Sequence, residues 1–188
     1  MSSPIEPVST MSAVTVRPLA ASPETIAGLA ALLVETVAAG GSVSFMHPLD
    51  PNEAAAFWTR SLAAAERGER IVFGAFDRDD LVATLTLHLD CPPNQPHRAE
   101  LAKMMTLPSY RGRGLASRLI RAAEAEAVGR GRWLIVLDTA TDEGAAGFYE
   151  KHGYRLAGEI PDYALKPHGG LTGTLLYWKR IGPPERSA

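Results

Sequence analysis

Leu81, Ala83, Leu85, Leu87 and Leu89 share one parity along the chain, and Val82, Thr84, Thr86 and His88 share the other. That alternation predicts a strand over 81–89. The run 70–76 predicts a second strand, and Asp77-Arg78-Asp79-Asp80 between the two reads as a polar turn. Earlier in the chain, Ile26, Leu29, Leu33 and Val37 recur at helical spacing after Ser22-Pro23-Glu24. Ser22 fits the N-cap and Pro23 the first helical position, and Gly40-Gly41 ends this helix. Asp50-Pro51-Asn52-Glu53 repeats the start signal, with Phe57, Trp58, Leu62 and Ala65 as the apolar face that follows. A short strand over 14–17 is closed by Pro18, and the three prolines in 91–96 make that stretch a loop.

The second half alternates strand and helix. Over 98–107, Arg98, Glu100, Ala102, Met104 and Thr106 fall on one face; Ala99, Leu101, Lys103, Met105 and Leu107 fall on the other. A helix from Gly114 carries Leu115, Leu119, Ala122, Ala123 and Ala127 on one side and ends near Gly129-Arg130-Gly131. Trp133-Leu134-Ile135-Val136-Leu137 is continuously apolar, as in a strand buried on both faces, and Asp138 closes it. Thr141-Asp142-Glu143 opens a helix bearing Phe148 and Tyr149, which Gly153 ends. A strand over 154–158, a long connection over 161–170 and a last strand over 171–179 complete the pattern. Neither a repeat nor a linker divides the chain. One domain is expected over 13–182, with a disordered tail at 1–12 and a second tail at 183–188.

Chemistry concentrates at Tyr110-Arg111-Gly112-Arg113-Gly114-Leu115-Ala116, between a strand and a helix. A glycine turn exposes backbone N–H groups, and the helix N-terminus carries roughly half a positive charge. Gly112 and Gly114 admit a ligand close to the main chain, and Arg111 and Arg113 add fixed charge. Together with the first helical residues, through Ser117, this reads as a pyrophosphate cradle. It is not a P-loop, because no lysine lies between Lys103 and Lys151. A dinucleotide fingerprint would need a third glycine where Ser117 stands.

Arg111-Gly112-Arg113-Gly114-Leu115-Ala116 resembles the acyl-CoA signature of the GNAT N-acetyltransferases, Arg/Gln-x-x-Gly-x-Gly/Ala. Phe148-Tyr149-Glu150-Lys151-His152-Gly153-Tyr154 is similar to the family's second motif. Within the family the blocks around 35–46, Arg98-Ala99-Glu100-Leu101, Leu137-Asp138-Thr139 and 158–163 resemble the tabtoxin-resistance branch. The resemblance implies a mixed sheet of about seven strands, splayed in the middle, with about four helices. It implies acetyl-CoA as acyl donor, its pantetheine arm lying along Met104-Met105-Thr106 and its remainder against the cradle and Phe148. Many members carry Asn seven residues before the motif tyrosine; here that position is Asp142, which puts its contact with the donor in doubt. By the same resemblance Ser44, Phe45, Trp58 and Tyr163 are acceptor contacts, although Trp58 is equally well read as core.

Acetyl transfer to an amine needs a neutral amine, a stabilised oxyanion and a proton for the departing thiolate. An α-amine, with a pKa of about 8, loses its proton at neutral pH for about 1.4 kcal/mol, whereas a lysine amine costs ~4.6 kcal/mol. Glu100 on the central strand and Asp138 at the end of the next parallel strand are the candidate bases. Their competing readings are a pair with Arg98 or Arg155 for Glu100, and a turn cap for Asp138. Tyr149 is the candidate acid, against a plain core tyrosine, and a strand N–H near Met105 the candidate oxyanion donor.

Bulk properties narrow the partners. The net charge of −2 gives no footprint for nucleic acid, so the positive charge over 111–121 suits a small anion. The five histidines show no metal-ligand spacing and Cys91 is the sole cysteine, so no metal is expected and a reducing compartment is compatible. The apolar run 26–34 is too short to span a bilayer, and the N-terminus has no secretory pattern. With the resemblance, the expectation is a cytoplasmic N-acetyltransferase for a small-molecule amine, amino-acid-like or a β-lactam toxin, compatible with a homodimer; the alternatives are a protein N-terminus as acceptor and a non-catalytic acyl-CoA sensor.

Overall fold

The computed structural model describes residues 14–182, so the tails expected at 1–12 and 183–188 lie outside the described residues. Elements follow in the order β1 (Thr15–Pro18), α1 (Pro23–Ala38), α2 (Pro51–Glu66), β2 (Arg70–Asp77), β3 (Asp80–His88), β4 (Arg98–Thr106), α3 (Leu115–Gly129), β5 (Leu134–Ala140), α4 (Ala146–Lys151), β6 (Arg155–Leu165) and β7 (Leu171–Arg180). Both early helices start as their sequences dictate. The Ser22 hydroxyl accepts from the Thr25 N–H, the Asp50 carboxylate accepts from the Asn52 N–H, and a proline follows each cap.

The strands form one seven-stranded mixed sheet in the order β1-β2-β3-β4-β5-β7-β6, flanked by the four helices. This is the α/β arrangement that the resemblance implied. α3 and α4 cover one face, where Leu115, Leu119 and Ile120 pack on Leu85, Leu87 and Leu101. α1 and α2 cover the other, where Leu29, Leu33, Trp58 and Leu62 pack on Val72 and Met105. β3 lies under helices on both sides, so its polar parity is buried too. Thr84 and Thr86 are 0% and 1% exposed, and the Thr84 hydroxyl donates to the Phe73 carbonyl.

Four local expectations are corrected. First, β4 does not alternate throughout. Thr84 pairs with Met105 and Thr86 with Ala102, so Lys103 and Met104 together oppose one residue of β3. This is a β-bulge, and Lys103 takes a left-handed φ of 52°. Leu101 therefore lies in the α3-side core and Met105 in the α1/α2-side core, although they share parity.

Second, β5 is buried at Ile135 and Leu137 only, because α1 and α2 pack mainly on β2, β3 and β4. Third, Thr141–Glu143 is a single 3-10 turn that Gly144 breaks at φ 66°, and the α-helix is the short α4. Fourth, β6 continues through Pro161 to Leu165 instead of ending near Gly158. It is the edge strand, and its register with β7 breaks between Ile160 and Ala164, where Pro161 needs no partner for its missing N–H.

Trp58, a candidate acceptor contact, is 0% exposed and sits in the α1/α2 core against Phe57. Trp58→Ala is expected to cost about 3–5 kcal/mol of folding stability, the range for emptying a large aromatic site. Denaturant unfolding measures this directly, and a loss below about 1 kcal/mol would contradict the packing described.

Candidate active site

β4 and β5 run parallel, but they pair only at Arg98–Leu134, Ala99–Ile135 and Glu100–Val136. Beyond that point β4 stays with β3 as far as Thr106, and β5 stays with β7 over its full length. The sheet therefore opens into a wedge, and residues 101–106 of β4 have no strand partner on the β5 side. Backbone N–H and C=O groups along such an edge call for a partner. An extended ligand with amide groups can supply one.

At the wide end of the wedge lies the glycine turn. Gly112 and Gly114 hold φ of 74° and 76°, and Gly114 is the N-cap of α3. No side chain caps this helix, and its first ladder bond runs from the Arg118 N–H to the Gly114 carbonyl. The N–H groups of Leu115, Ala116 and Ser117 precede that bond and point out of the helix start. A cavity of about 270 Å³ sits here, lined by Thr106, Arg111, Gly112, Gly114, Leu115, Ala116, Ser117, Tyr110 and Phe148. Of the expected cradle residues only Arg113 is missing. Its guanidinium lies 4.6 Å from the Tyr110 ring centroid and donates to the Ser109 carbonyl, so it fastens the turn from outside.

A second cavity, about 230 Å³, lies deeper in the wedge. Ser42, Val43 and Ser44 form one wall; Tyr163, Ala164 and Leu165 of β6 with Thr172, Gly173 and Thr174 of β7 form another. Lys103 and Met104 of β4, Asp138 of β5 and Tyr149 of α4 close it. Neighbouring residues thus serve both cavities. Phe148 lines the cradle and Tyr149 the deeper cavity, while Thr106 lines the cradle and Met104 the deeper cavity.

The candidate carboxylates differ in setting. Asp138 faces the deeper cavity, and its carboxylate and the Thr139 carbonyl, each 3.1 Å away, share the single proton of the buried Thr174 hydroxyl. Glu100 is at the last paired position of the wedge, outside the cavity lining, and accepts from Arg98 at 3.2 Å. That is the pair its alternative reading named. Tyr149 is 7% exposed, with its ring against Phe148, Tyr154 and Tyr177.

Of the expected acceptor contacts, Ser44 and Tyr163 line the deeper cavity, while Phe45 stands edge-on to Phe57 at 5.2 Å, outside that lining. Asp142 is turned to Lys166 at 2.6 Å, and that ammonium holds its carboxyl below the usual carboxylate range. Met105 contributes backbone only, since its side chain is buried in the α1/α2 core.

Sequence reasoning passed over Lys103 and Thr174. The signal for Lys103 was a cation sharing parity with Leu101 and Met105; the signal for Thr174 was a threonine sharing parity with Thr172 at the start of the last strand. Among the described residues no group of three or more His, Cys, Asp or Glu could hold a metal ion, and no helix is long and apolar enough to cross a membrane.

Residues 28–154 match the model of the acetyltransferase (GNAT) family. The chain belongs to this family. It is 32% identical over 83 residues to N-alpha-acetyltransferase 30 of Schizosaccharomyces pombe, covering 44% of this chain and 55% of that protein. It is 46% identical over 66 residues to blasticidin-S acetyltransferase of Streptomyces morookaense, covering 35% of this chain and 46% of that protein. The chain thus spans about half the length of these two relatives. Among solved structures it superposes on yncA of Salmonella typhimurium, solved with its cofactor acetyl-CoA, with a TM-score of 0.72 at 14% identity over 93% of this chain and 97% of that one. That likeness is one of fold.

Gly114 is strained for any other residue, while a Cβ there would meet nothing within 4 Å. Gly114→Ala is therefore expected to cost about 1–2 kcal/mol through its backbone alone. Chemical denaturation checks this, and a neutral result would mean that the cap is not left-handed.

Proposed function

We propose that the chain transfers an acetyl group from acetyl-CoA to the amine of a small molecule by direct attack. One observation carries the reading: the unpaired β4 edge runs from an uncapped helix start, suited to phosphate, to a cavity that holds Asp138 and Tyr149. The residues present fit acetyl-CoA as substrate. Arg111 and the N–H groups of 114–117 would hold its pyrophosphate, and the edge over 104–106 its pantetheine amides.

Asp138 then takes a proton from the acceptor ammonium, directly or through a water. The freed nitrogen attacks the thioester carbonyl carbon, a C–N bond forms, and the C–S bond breaks with its electron pair on sulfur. Tyr149 gives the thiolate its proton, and the second proton that the nitrogen sheds on becoming an amide restores the Tyr149 hydroxyl. Glu100, paired with Arg98 where the wedge closes and outside the cavity lining, is left out of this proton transfer. The cavity suits an amine of moderate pKa, because a single carboxylate supplies the proton acceptor at its wall.

A small acceptor is favoured over a protein N-terminus because the cavity is walled on both sides, by 42–44 and by the β6–β7 pair, and holds about 230 Å³. Resemblance to the tabtoxin-resistance branch, together with the partial similarity to blasticidin-S acetyltransferase, points to an amino-acid-like or β-lactam toxin as acceptor. The cytoplasm is the compartment in which acetyl-CoA would be supplied.

Calorimetric titration with acetyl-CoA, followed by thiol release against amino acids, β-lactam dipeptides, polyamines, aminoglycosides and N-terminal peptides, tests the reading. Acceptor-dependent release is expected. Binding without release from any acceptor would leave an acyl-CoA sensor, and no binding would overturn the reading. Asp138→Asn should retain acetyl-CoA binding and lose about 10²–10⁴-fold in kcat, the usual contribution of a positioned base. Arg111→Ala should weaken acetyl-CoA binding about tenfold or more, with a shallower salt dependence than the parent.

A further inference from the structure

Lys103 sits at the bulge of β4 with a left-handed backbone, and the Ser44 hydroxyl that accepts from its ammonium at 2.9 Å belongs to a second left-handed residue, at φ 72°. Two non-glycine residues in this conformation, 59 positions apart, meet in one hydrogen bond on the cavity wall. Such conformations are costly singly and persist where the surroundings enforce them, often at ligand sites. The Lys103 ammonium also lies over the Phe57 ring, 5.9 Å from its centroid.

An ammonium has three N–H donors. Ser44 takes one, and among the described residues Lys103 forms no other hydrogen bond and no ion pair. Burial pulls its pKa down, and the charge of Asp138 across the cavity pulls it back up. Among the described residues, Lys103 and Asp138 are the only charged side chains lining this cavity. The cavity therefore presents one cation and one anion, beyond ion-pair contact of each other, to whatever enters. A ligand that matches both is a zwitterion.

We propose that Lys103, braced by Ser44, receives a carboxylate of the acceptor while Asp138 receives its amine, so that the acceptor is an amino acid or amino-acid analogue with a free carboxylate. This rests on the acetyl-transfer reading and adds the recognition element to it. It also separates classes of amine. Polyamines and aminoglycosides would bring only cations to Lys103, and like charges in a partly buried site repel. A carboxylate instead gains a charge-assisted bond and replaces lost water on the ammonium.

The test measures thiol release with free L-amino acids, their carboxamides and their decarboxylated amines, alongside thermal-shift titration of the same compounds with CoA present. The parent is expected to favour the free acids. Lys103→Met should lower kcat/KM for an acid about 10–100-fold more than for its carboxamide, mainly through KM, as expected for removing a charged partner. Lys103→Gly adopts φ 52° without strain and should show the same selectivity loss, which separates recognition from folding. Lys103→Arg should keep the preference for acids.

Equal losses for acid and carboxamide, or a parent indifferent to the carboxylate, would overturn the proposal. If no compound releases thiol, acetyl transfer to amino acids fails, and the thermal-shift series decides this inference by itself. Lys103-dependent stabilisation by free acids sustains it, and the absence of such stabilisation overturns it.

Discussion

An open seam inside a sheet is the constraint on which the rest of this molecule depends. β4 and β5 begin side by side and then part, because β4 remains paired to β3 and β5 to β7. Backbone groups left without partners in a protein interior are expensive. A seam of this kind persists only if each half of the sheet is held by its own packing. The first half lies between the α1/α2 core and α3; the second hangs on the long β5–β7–β6 pairing and on the Tyr149, Tyr154 and Tyr177 cluster beneath it. What remains along β4 is a vacant strand position, and a donor with amides in an extended arm is the kind of molecule that completes it.

The seam also orders the chemistry along its length. At its wide end the charges and dipoles are of one sign: an uncapped helix start, glycine N–H groups and Arg111. Further in, the deeper cavity carries one cation and one anion, with hydroxyls from Ser44, Thr172 and Thr174. A phosphate-bearing molecule can enter in one direction only without placing anionic groups beside Asp138. On the proposed reading, this asymmetry sets the binding polarity and brings the thioester toward Tyr149.

Much of this was legible in the sequence where the cause is local. Ser22 and Asp50 cap the helices their neighbours announced, the β2–β3 turn follows its polar residues, and the Gly112/Gly114 turn holds the two left-handed angles that its composition suggested. The α/β sheet and its splay followed from the family resemblance. What escaped has tertiary causes. The bulge at Lys103 is set by register against β3, and no local residue signals it. β6 survives Pro161 because it is an edge strand, a fact about its neighbours. Trp58 and Phe45 stand in the right segment, but packing turns one into the core and sets the other behind Phe57. Glu100 and Asp138 looked equivalent by type, and only the length of the β4–β5 pairing separates one at the closed end from one at the cavity wall.

The bulge joins the two halves of the argument. In an unbroken strand Lys103 would share the face of Leu101 and direct an ammonium into the apolar core under α3, where an unpaired charge is severely penalised. The extra residue reverses the parity, seats Met105 beneath α1 and α2, and leaves Lys103 at the cavity wall beside Ser44. The Ser44 loop is held in turn by the His47 N–H to the Pro167 carbonyl and by the His47–His168 ring contact at 4.5 Å, which tie it to the β6–β7 turn on the opposite wall. One irregularity in β4 thus accompanies the unpaired edge and also places a cation at the wall of the deeper cavity. On the proposed reading, donor binding and acceptor recognition share a single stretch of backbone, so a change at Lys103 or Met104 would reach both.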